Sequence, residues 1–408
     1  MYITAAARGG SVCGDMLAAT ALVLTLQSRG YGGLAVAGVL LAEALPLVIL
    51  APLTGRLADR ADSRTLLVAA GFGQAAVCVV LAYTSDPVLI IGLVALLTCG
   101  LAITSPTFAA LVPEMVGRKD FARASALNQT ASAVGLLAGP ALAGVLVGQY
   151  GARPALLLDA VSYLAILAAG LSIRTRRGGS ERRAASLGGE PRSSRNWRLR
   201  ADPLLGPLVL ALGMVVAAVT AINVVEVFFV RETLGATATW FGLVAATWTG
   251  GMLAGAWIVA RWVQHRDEDG VLGLGSLLLL AGSCVAVLAA AAVPAVGWLL
   301  PIWLVGGITN GGENTVLTVL MARRAPEEVR GRAFAQLAGV AQGGSVVGYL
   351  LGGVLLAWIT PRPLVAMAGA AGLLVIAAVA GPVMRAARRD GVTVGDAIVE
   401  ALAGSAAR

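Results

Sequence analysis

The sequence has little charge for its length. Only 13% of its 408 residues are charged, whereas soluble domains carry about 25%. Hydrophobic residues make up 58% of the chain, and the mean hydropathy is +0.84. A single globular core cannot hide so much apolar surface, because a soluble protein needs a largely polar exterior. The composition therefore excludes an ordinary soluble fold and predicts that lipid surrounds most of the surface.

Lysine and histidine are almost absent, since the chain has one of each and 29 Arg. The net charge of +8 would suit nucleic acid, but the arginines occur in short clusters between apolar runs, so we expect no nucleic-acid partner. The sequence has no phosphate-binding G-x-x-x-x-G-K-[ST] loop, no Ser/His/Asp grouping and no metal-spaced His/Cys cluster. We therefore expect no enzymatic activity, no cofactor and no metal.

The few cysteines all lie in apolar segments, without C-x-x-C spacing and without a His partner: Cys13, Cys78, Cys99 and Cys284. This setting is typical of small buried hydrophobic side chains rather than of disulfides or metal ligands.

Long apolar runs dominate the chain instead. A membrane-spanning helix needs about 20 apolar residues. Twelve runs approach or exceed that length: 9–27, 33–54, 65–84, 87–111, 122–148, 154–173, 205–230, 239–260, 271–292, 296–321, 334–357 and 363–385. The sequence therefore predicts an all-α integral membrane protein with twelve transmembrane helices.

The basic residues alternate between the predicted loops. With the N-terminus inside, all but four of the 30 Lys and Arg fall on the cytoplasmic side. The predicted outer loops hold only Arg29, Arg153, Arg231 and Arg362. This asymmetry is the positive-inside pattern. It predicts a multi-pass protein of the cell membrane with both termini in the cytoplasm.

An internal repeat relates the two halves of the chain. Residues 113–139 and 326–352 align without gaps at a shift of 213 positions, and eleven of the 27 pairs are identical. The identities include Pro, Glu, Phe, Gln and Ser, so they exceed the chance level of Ala- and Leu-rich helices. We expect two pseudo-symmetric six-helix bundles, with a substrate site near the membrane midplane between them.

The predicted boundaries follow from a change of composition near the middle of the chain. Residues 174–202 hold nine Arg and almost no apolar periodicity, which predicts a solvated cytoplasmic linker near anionic lipid or, alternatively, a regulatory segment. The predicted parts are an N-terminal bundle, this linker, a C-terminal bundle and a cytoplasmic tail: 1–173, 174–202, 203–385 and 386–408.

The loop between the second and third predicted helices resembles a family signature. It runs from Gly55 through Asp59 and Arg60 to Arg64, and it is similar to the G-x-L-A-D-R-x-G-R-R/K motif of the major facilitator superfamily. Asp62 stands where that motif has Gly. The resemblance implies that these residues form a latch between the two halves when the cytoplasmic side is closed. An ordinary basic loop is the alternative.

The fifth predicted helix narrows the resemblance to exporters. Gly135, Gly139 and Pro140 begin a pattern similar to the G-x-x-x-G-P-x-x-x-G motif of superfamily exporters, although small-residue packing alone also explains it. Further stretches near Ser105 and Gln342 resemble the branch of siderophore and macrolide exporters. The segment 87–111 lacks the Arg that many drug/proton antiporters carry there, so a proton mechanism must use other residues.

Carboxylates inside spanning helices are costly, and they are candidates for function by default. Asp15, Glu43, Glu226 and Glu313 are such residues, and each has a structural hydrogen bond as its alternative role. Asp159 is as suited to a helix interface as to the cavity. Three amide side chains share helix faces with Glu226 or Glu313 and are further candidates for the substrate and proton cavity: Asn223, Asn310 and Asn314.

These features together predict a secondary active transporter, acting as a monomer. The expected activity is proton antiport by alternating access that exports an amphiphilic small molecule such as a drug, an antibiotic or a siderophore. A proton-coupled uptake symporter or a uniporter is the first alternative. A membrane sensor that transports nothing is the second.

Overall fold

The computed structural model describes residues 2–60, 63–172, 198–264, 266 and 268–389, and for some of these, including 51–60, 63–64 and 108–125, only the backbone. Within these ranges the chain forms eleven α-helices and no strand. They are α1 Tyr2–Ser28, α2 Gly33–Arg60, α3 Ser63–Tyr83, α4 Pro87–Tyr150, α5 Ala152–Ser172, α6 Leu205–Phe228, α7 Ala238–Val263, α8 Asp269–Ala290, α9 Leu299–Arg324, α10 Arg330–Leu355 and α11 Pro361–Arg389.

The predicted all-α membrane architecture is confirmed. Ten stretches of the described helices are long and apolar enough to cross a bilayer, while α5 and α9 fall outside that set. The α9 helix contains Asn310, Glu313 and Asn314, which lower its hydropathy. Large apolar side chains such as Ile49, at 64% exposure, and Leu374, at 72%, point outward, as the surface of a lipid-embedded protein requires.

The α4 helix differs from the prediction, which placed separate helices at 87–111 and 122–148. It runs for 64 residues and contains two of the candidate spans, Pro87–Ser105 and Ala126–Tyr150. A straight helix of that length would measure about 96 Å, roughly three bilayer cores. Ile90 and Tyr150, near its two ends, nevertheless line the same pocket. The helix therefore turns back between its spans, and the two spans bring the number of long helical segments to twelve.

The described residues fall into two compact units. The first lies within Met1–Leu187 and Val227–Ala246, and the second within Gly188–Glu226 and Thr247–Arg408. The segment Val227–Ala246, which joins α6 to α7, thus groups with the N-terminal helices. Most of the predicted linker, 174–202, and of the predicted tail, 386–408, lies outside the described residues.

Backbone contact at glycines packs the helices of the first unit. A Cβ atom added to Gly139 of α4 would lie 2.8 Å from the carbonyl oxygen of Cys13 in α1. One added to Gly135, a turn earlier, would collide with the carbonyl oxygen of Gly9 and lie 2.9 Å from the amide nitrogen of Cys13. Four-residue spacing keeps these glycines on one helix face, so the two backbones approach closely.

The second unit repeats the same contact with different residues. A Cβ atom added to Gly348 or Gly352 of α10 would lie 2.6 Å from the carbonyl oxygen of Ala217 or Ala221 in α6. Gly348 and Gly352 follow Gly135 and Gly139 by the 213 positions of the sequence repeat. The repeat therefore corresponds to a shared packing arrangement inside each unit.

An ion cluster joins three helix ends of the second unit. Asp202 caps α6, because its carboxylate accepts hydrogen bonds from the amides of Leu204 and Leu205, both at 2.9 Å. The same carboxylate binds Arg324, at the end of α9, with an Nε–Oδ2 distance of 3.0 Å. Arg324 also reaches Asp269, in the first turn of α8, at 3.2 Å. The sequence analysis did not single out these three charged residues.

Candidate functional site

A buried carboxylate of α5 is the centre of the polar network in the first unit. Asp159 is completely buried. Its Oδ1 accepts a hydrogen bond from the Ser162 hydroxyl at 3.0 Å, and its Oδ2 accepts one from the Cys78 thiol of α3 at 3.3 Å. Cys78, predicted as an apolar filler, is thus a hydrogen-bond donor. Buried polar groups need such partners, because an unpaired one carries a desolvation cost.

A second carboxylate, from α1, lies beside these residues and has its own donor. Tyr163, which lies one helical turn after Asp159 and is buried, donates a hydrogen bond from its hydroxyl to Oδ1 of Asp15. Glu43 of α2 lies close enough to Asp15 for their charges to interact. Arg8, two turns earlier on α1, is close enough for its positive charge to interact with the Asp15 carboxylate. We call Asp15, Asp159, Tyr163, Cys78 and Ser162 the first-unit network.

The glycine beside Asp15 makes room for this network. A methyl group at Gly14 would collide with the Asp159 carboxylate and lie 2.6 Å from the Ser162 oxygen. Residues 159, 162 and 163 share one face of α5 because they are spaced by three and four positions. The carboxylate of α5 can therefore lie directly against the backbone of α1.

The second unit holds its carboxylates separately. Glu226 of α6 accepts a hydrogen bond of 2.7 Å from the indole nitrogen of Trp303 in α9. The ring of Trp303 in turn packs edge-on against Trp248, with centroids 5.7 Å apart. The sequence analysis selected Glu226 but missed its partner, because nothing in the sequence relates positions 226 and 303.

Glu313 occupies another buried position in this unit. It is 1% exposed, and its Oε1 accepts a hydrogen bond from Ser276 of α8 at 3.5 Å, while its Oε2 makes no hydrogen bond within the described residues. Asn314, its neighbour in the predicted polar stripe, is exposed and donates to the carbonyl oxygen of Asn310 at 3.0 Å. Within the predicted stripe, Glu313 therefore lies in the interior, whereas Asn314 lies on an exposed face.

The remaining predicted residues lie in different places. Asn223 is exposed and Asn310 is half-buried. Gly135 and Gly139 lie in the contact between α4 and α1, and the carbonyl oxygen of Pro140 lies against Gly242. For the predicted latch, the structure describes helical backbone but no side chains: Gly55, Asp59, Arg60 and Arg64.

The glycine contacts also reveal which residues of the two units correspond. Gly135 meets Gly9 and Cys13, while Gly348 meets Ala217 and Ala221. Cys13 of the first unit therefore corresponds to Ala221 of the second. Asp15 lies two residues after Cys13, and Asn223 lies two residues after Ala221, so Asp15 corresponds to Asn223.

Helices α3 and α5 of the first unit correspond in the same way to α8 and α11 of the second. In the first unit, the Cys78 thiol of α3 donates to Asp159 of α5. In the second unit, Cys284 of α8 packs against Gly372 of α11, where an added Cβ would lie 2.5 Å from its sulfur. The second unit thus has an amide and a glycine where the first has two carboxylates. Only the first unit can hold a carboxylate pair at these positions.

Comparisons with known proteins agree with this architecture. Residues 6–395 match the family model described as Transmembrane secretion effector, one of the families of the major facilitator superfamily. An uncharacterised MFS-type transporter of Bacillus subtilis strain 168, YfiS, is 22% identical over 324 residues, which cover 78% of this chain and 76% of that protein.

Solved transporter structures share the fold. A variant of the nucleoside transporter NupG is 12% identical with a TM-score of 0.73, over 93% of this chain and 98% of that one. A bacterial homologue of the iron transporter ferroportin, in an inward-facing state, is 16% identical with a TM-score of 0.70, over 92% of this chain and 97% of that one. Identities this low establish the common fold alone.

Proposed function

The chain belongs to the Transmembrane secretion effector family of the major facilitator superfamily, and we propose that it exports amphiphilic small molecules in exchange for protons. Transport across a membrane follows from the family match. The outward direction, the substrate class and the coupled proton are our proposal. Alternating access, in which the transport site opens to one side of the membrane at a time, is the mechanism we infer.

The carboxylate pair of the first-unit network carries this proposal. Asp159 is completely buried against the α1 backbone at Gly14, next to Asp15, and the charges of the two carboxylates interact, although each has its own hydrogen-bond donors. Two neighbouring carboxylates away from water are costly when both are ionised, so binding a proton lowers the free energy of the pair. Release of that proton restores the repulsion. A pair of this kind can therefore couple proton binding to a change between two states of the transporter.

The hydrogen-bond donors of the first-unit network are uncharged, which allows the carboxylate pair both to bind and to release a proton. Tyr163, Ser162 and Cys78 donate hydrogen bonds without supplying a positive charge. A permanent ion pair would hold the carboxylates ionised, whereas hydroxyl and thiol groups satisfy either protonation state. Arg8 acts on Asp15 from two helical turns away, and no ion pair joins the two within the described residues.

Export rather than uptake is supported by two features. The family description names secretion. The Gly135, Gly139 and Pro140 pattern of α4, similar to that of superfamily exporters, packs against α1, the helix that bears Asp15. In our proposal, Glu43, Glu226 and Glu313 contribute to the substrate cavity, and the latch residues Gly55, Asp59, Arg60 and Arg64 close the cytoplasmic side.

The test is transport by purified protein in liposomes with an imposed pH gradient. The probes are ethidium, erythromycin and a catecholate siderophore. For protein inserted inside-out, acidifying the lumen should drive accumulation of at least one probe. Asp15→Asn and Asp159→Asn should each reduce gradient-driven accumulation to the level of protein-free liposomes. The exchange of labelled for unlabelled substrate without a gradient should continue.

Asp86→Asn is the matched control. Asp86 caps α4 through the amides of Val88 and Leu89, at 2.8 and 3.0 Å, and Asn caps helices as well as Asp does. This variant should transport normally. Full gradient-driven transport by both Asp15→Asn and Asp159→Asn would overturn the proton site. Accumulation only when proton and substrate move in the same direction would identify an uptake symporter. Absence of transport for every probe would favour a sensor.

A further inference from the structure

Three of the four arginines predicted to face outward line a single pocket of the first unit. The pocket has a volume of about 650 Å³. It lies where α1, α3 and α4 end, where α4 and α5 begin, and beside the segment Val227–Ala246. Arg29, Arg153 and Arg231 belong to its lining, and Arg362 does not. The chain otherwise keeps its basic residues on the predicted cytoplasmic side, so this concentration is an exception to the charge pattern.

Neutral groups hold two of these side chains in place. Arg29 donates from Nη1 to the backbone carbonyl of Ser85 at 3.3 Å. Arg153 lies over the ring of Tyr83, with its guanidinium carbon 5.3 Å from the ring centroid. Neither partner carries a negative charge, so neither contact neutralises the positive charge that the arginine brings to the pocket.

The third arginine is positioned by an irregular turn of backbone. After α6, residues Phe229–Thr233 form a π-helical turn, which closes with a hydrogen bond of 3.0 Å from the Leu234 amide to the Phe229 carbonyl. Within this turn, Arg231 donates from Nη1 to the carbonyl of Ala236 at 2.9 Å, and its Nε lies 3.4 Å from Oε1 of Gln27. Such π turns are frequently found at functional sites.

Among the residues that the structure describes, the lining of the pocket includes no acidic side chain. Of two acids nearby, Asp86 caps α4, and Glu232 accepts a hydrogen bond of 3.0 Å from Gln27, which in turn accepts one from Arg231. Within the described residues, Arg29, Arg153 and Arg231 form no ion pair. The pocket thus presents three positive charges and several hydroxyl groups.

Aromatic rings supply accessible apolar surface in the lining. Tyr83 and Tyr150 are 64% and 68% exposed, whereas leucines such as Leu22 and Leu81 lie behind the surface at 3% and 2% exposure. A ligand of this pocket would therefore place an anionic group among the arginines and an apolar body against the tyrosine rings. Guanidinium forks bind phosphate and carboxylate groups with two parallel hydrogen bonds, which favours anions over neutral polar groups.

We propose that this pocket binds the anionic group, phosphate or carboxylate, of an amphiphilic molecule. The inference goes beyond the proposed function, because it requires neither proton coupling nor a direction of transport. The molecule can come from two sources with the same chemistry. One is the headgroup of an anionic phospholipid, and the other is a free organic anion.

The experiment measures binding at equilibrium without a gradient, so its failure is distinguishable from failure of proton-coupled export. The purified protein is placed in nanodiscs of phosphatidylcholine and titrated calorimetrically with 1-naphthyl phosphate, with inorganic phosphate and with neutral 1-naphthol. We expect naphthyl phosphate to bind more tightly than either comparator. Arg29→Gln, Arg153→Gln and Arg231→Gln should each weaken its binding about tenfold, since each removes one charge-assisted interaction.

Arg362→Gln is the matched control, because it removes the fourth predicted outer arginine and leaves the pocket intact. It should bind naphthyl phosphate like the unmodified protein. Arg153→Lys, which keeps the charge without the fork, should retain part of the binding and so separates loss of charge from loss of folding. Equal loss of binding in Arg362→Gln, or equal binding of naphthol and naphthyl phosphate, would overturn the proposal.

A second arm distinguishes the two sources of the anion. Nanodiscs that contain phosphatidylglycerol replace those of phosphatidylcholine alone. If the lipid headgroup occupies the pocket, phosphatidylglycerol should raise the thermal midpoint of the protein and weaken naphthyl phosphate binding, and Arg153→Gln should abolish both effects. If a free organic anion is the ligand, the lipid should leave naphthyl phosphate binding unchanged. An absence of binding in both arms would also overturn the proposal.

Discussion

The two units use the same backbone contacts and different charges. In each, glycines four residues apart on the fifth helical segment press against carbonyl oxygens of the first helix. At matching positions, however, the first unit has Asp15 and Asp159, and the second has Asn223 and Gly372. Backbone packing is therefore the conserved part of the repeat. The polar side chains are free to differ, because they occupy the space between helices without determining how the helices pack.

Arg324 of the second unit and the pocket arginines of the first unit differ in their partners. In the second unit, Arg324 is neutralised by Asp202 and Asp269 at three helix ends. In the first, the pocket arginines are held by carbonyl oxygens, an amide and an aromatic ring. A paired arginine stabilises structure, whereas an unpaired one in a pocket remains available to a ligand. This difference assigns a structural role to Arg324, whereas other arginines of the second unit line a pocket of their own: Arg198, Arg200 and Arg332.

The shared glycine contact should show the largest effect on stability. We expect Gly139→Leu and Gly348→Leu to lower the free energy of unfolding by about 3 kcal/mol each, because the added side chain separates two helix backbones. Gly10→Leu and Gly343→Leu are the controls, since a Cβ at either position meets nothing within 4 Å. Thermal midpoints in detergent provide the measurement. A large loss in only one unit would show that the packing is not shared.

The ion cluster of the second unit should come next. Arg324→Gln leaves the partly buried Asp202 without its cation and leaves Asp269 only the longer contact of 3.9 Å with Arg323, and we expect a loss of about 2 kcal/mol. The Arg324 side chain is 19% exposed and that of Asp202 is 11% exposed, so solvent screens the pair only in part. Glu327→Gln is the control, because that side chain is 87% exposed and lies 4.0 Å from Arg330. Equal midpoints for the two variants would refute a structural role for the cluster.

The Glu226 carboxylate of the second unit accepts its hydrogen bond from Trp303. Trp303→Phe removes the indole N–H that binds Glu226 and should cost about 1 kcal/mol, since a half-buried acceptor loses its partner. Trp248→Phe keeps that hydrogen bond and changes only the ring contact, so its midpoint should fall less. The double variant Trp303→Phe with Glu226→Gln should recover part of the loss. If Trp248→Phe proves the more damaging change, the hydrogen bond contributes little.

The two buried cysteines should show the smallest difference. Cys78→Ala and Cys284→Ala remove the same sulfur atom, but only Cys78 donates to a carboxylate. A thiol is a weak donor, so we expect Cys78→Ala to cost about 0.5 kcal/mol more than Cys284→Ala. Thermal midpoints of both single variants isolate the hydrogen bond. A greater loss in Cys284→Ala would argue against the Cys78 contact.

The fold was largely predictable from sequence, because lipid imposes simple rules. Apolar runs long enough to span a bilayer predicted the helices. The 213-residue repeat identified Gly135 and Gly348 as equivalent before their contacts were known. The two spans of α4 agree with the prediction, but the expected interruption between them was wrong, because the backbone is helical through residues 112–121. Charged residues there suggested a break, but local charge does not prevent helical hydrogen bonding.

The candidate site was predictable only as a set of separate acids. Asp15, Glu43, Glu226 and Glu313 were found because a carboxylate in an apolar run is unusual. Tyr163 gave a usable signal, since it follows Asp159 by four residues on one helix. Trp303 gave none. Its bond to Glu226 joins residues 77 positions apart, and such pairs are formed by helix packing rather than by local sequence.

The sequence by itself determined the membrane environment, the helices and the repeat, because burial in lipid requires apolar runs and helical hydrogen bonds at every spanning segment. Tertiary structure alone decided which polar groups meet. It placed Asp159 against the α1 backbone beside Asp15, gave Glu226 and Glu313 different donors, and gathered Arg29, Arg153 and Arg231 at one pocket. The physical reason is that the charge of a side chain is a local property, whereas its partners depend on which helix faces come into contact.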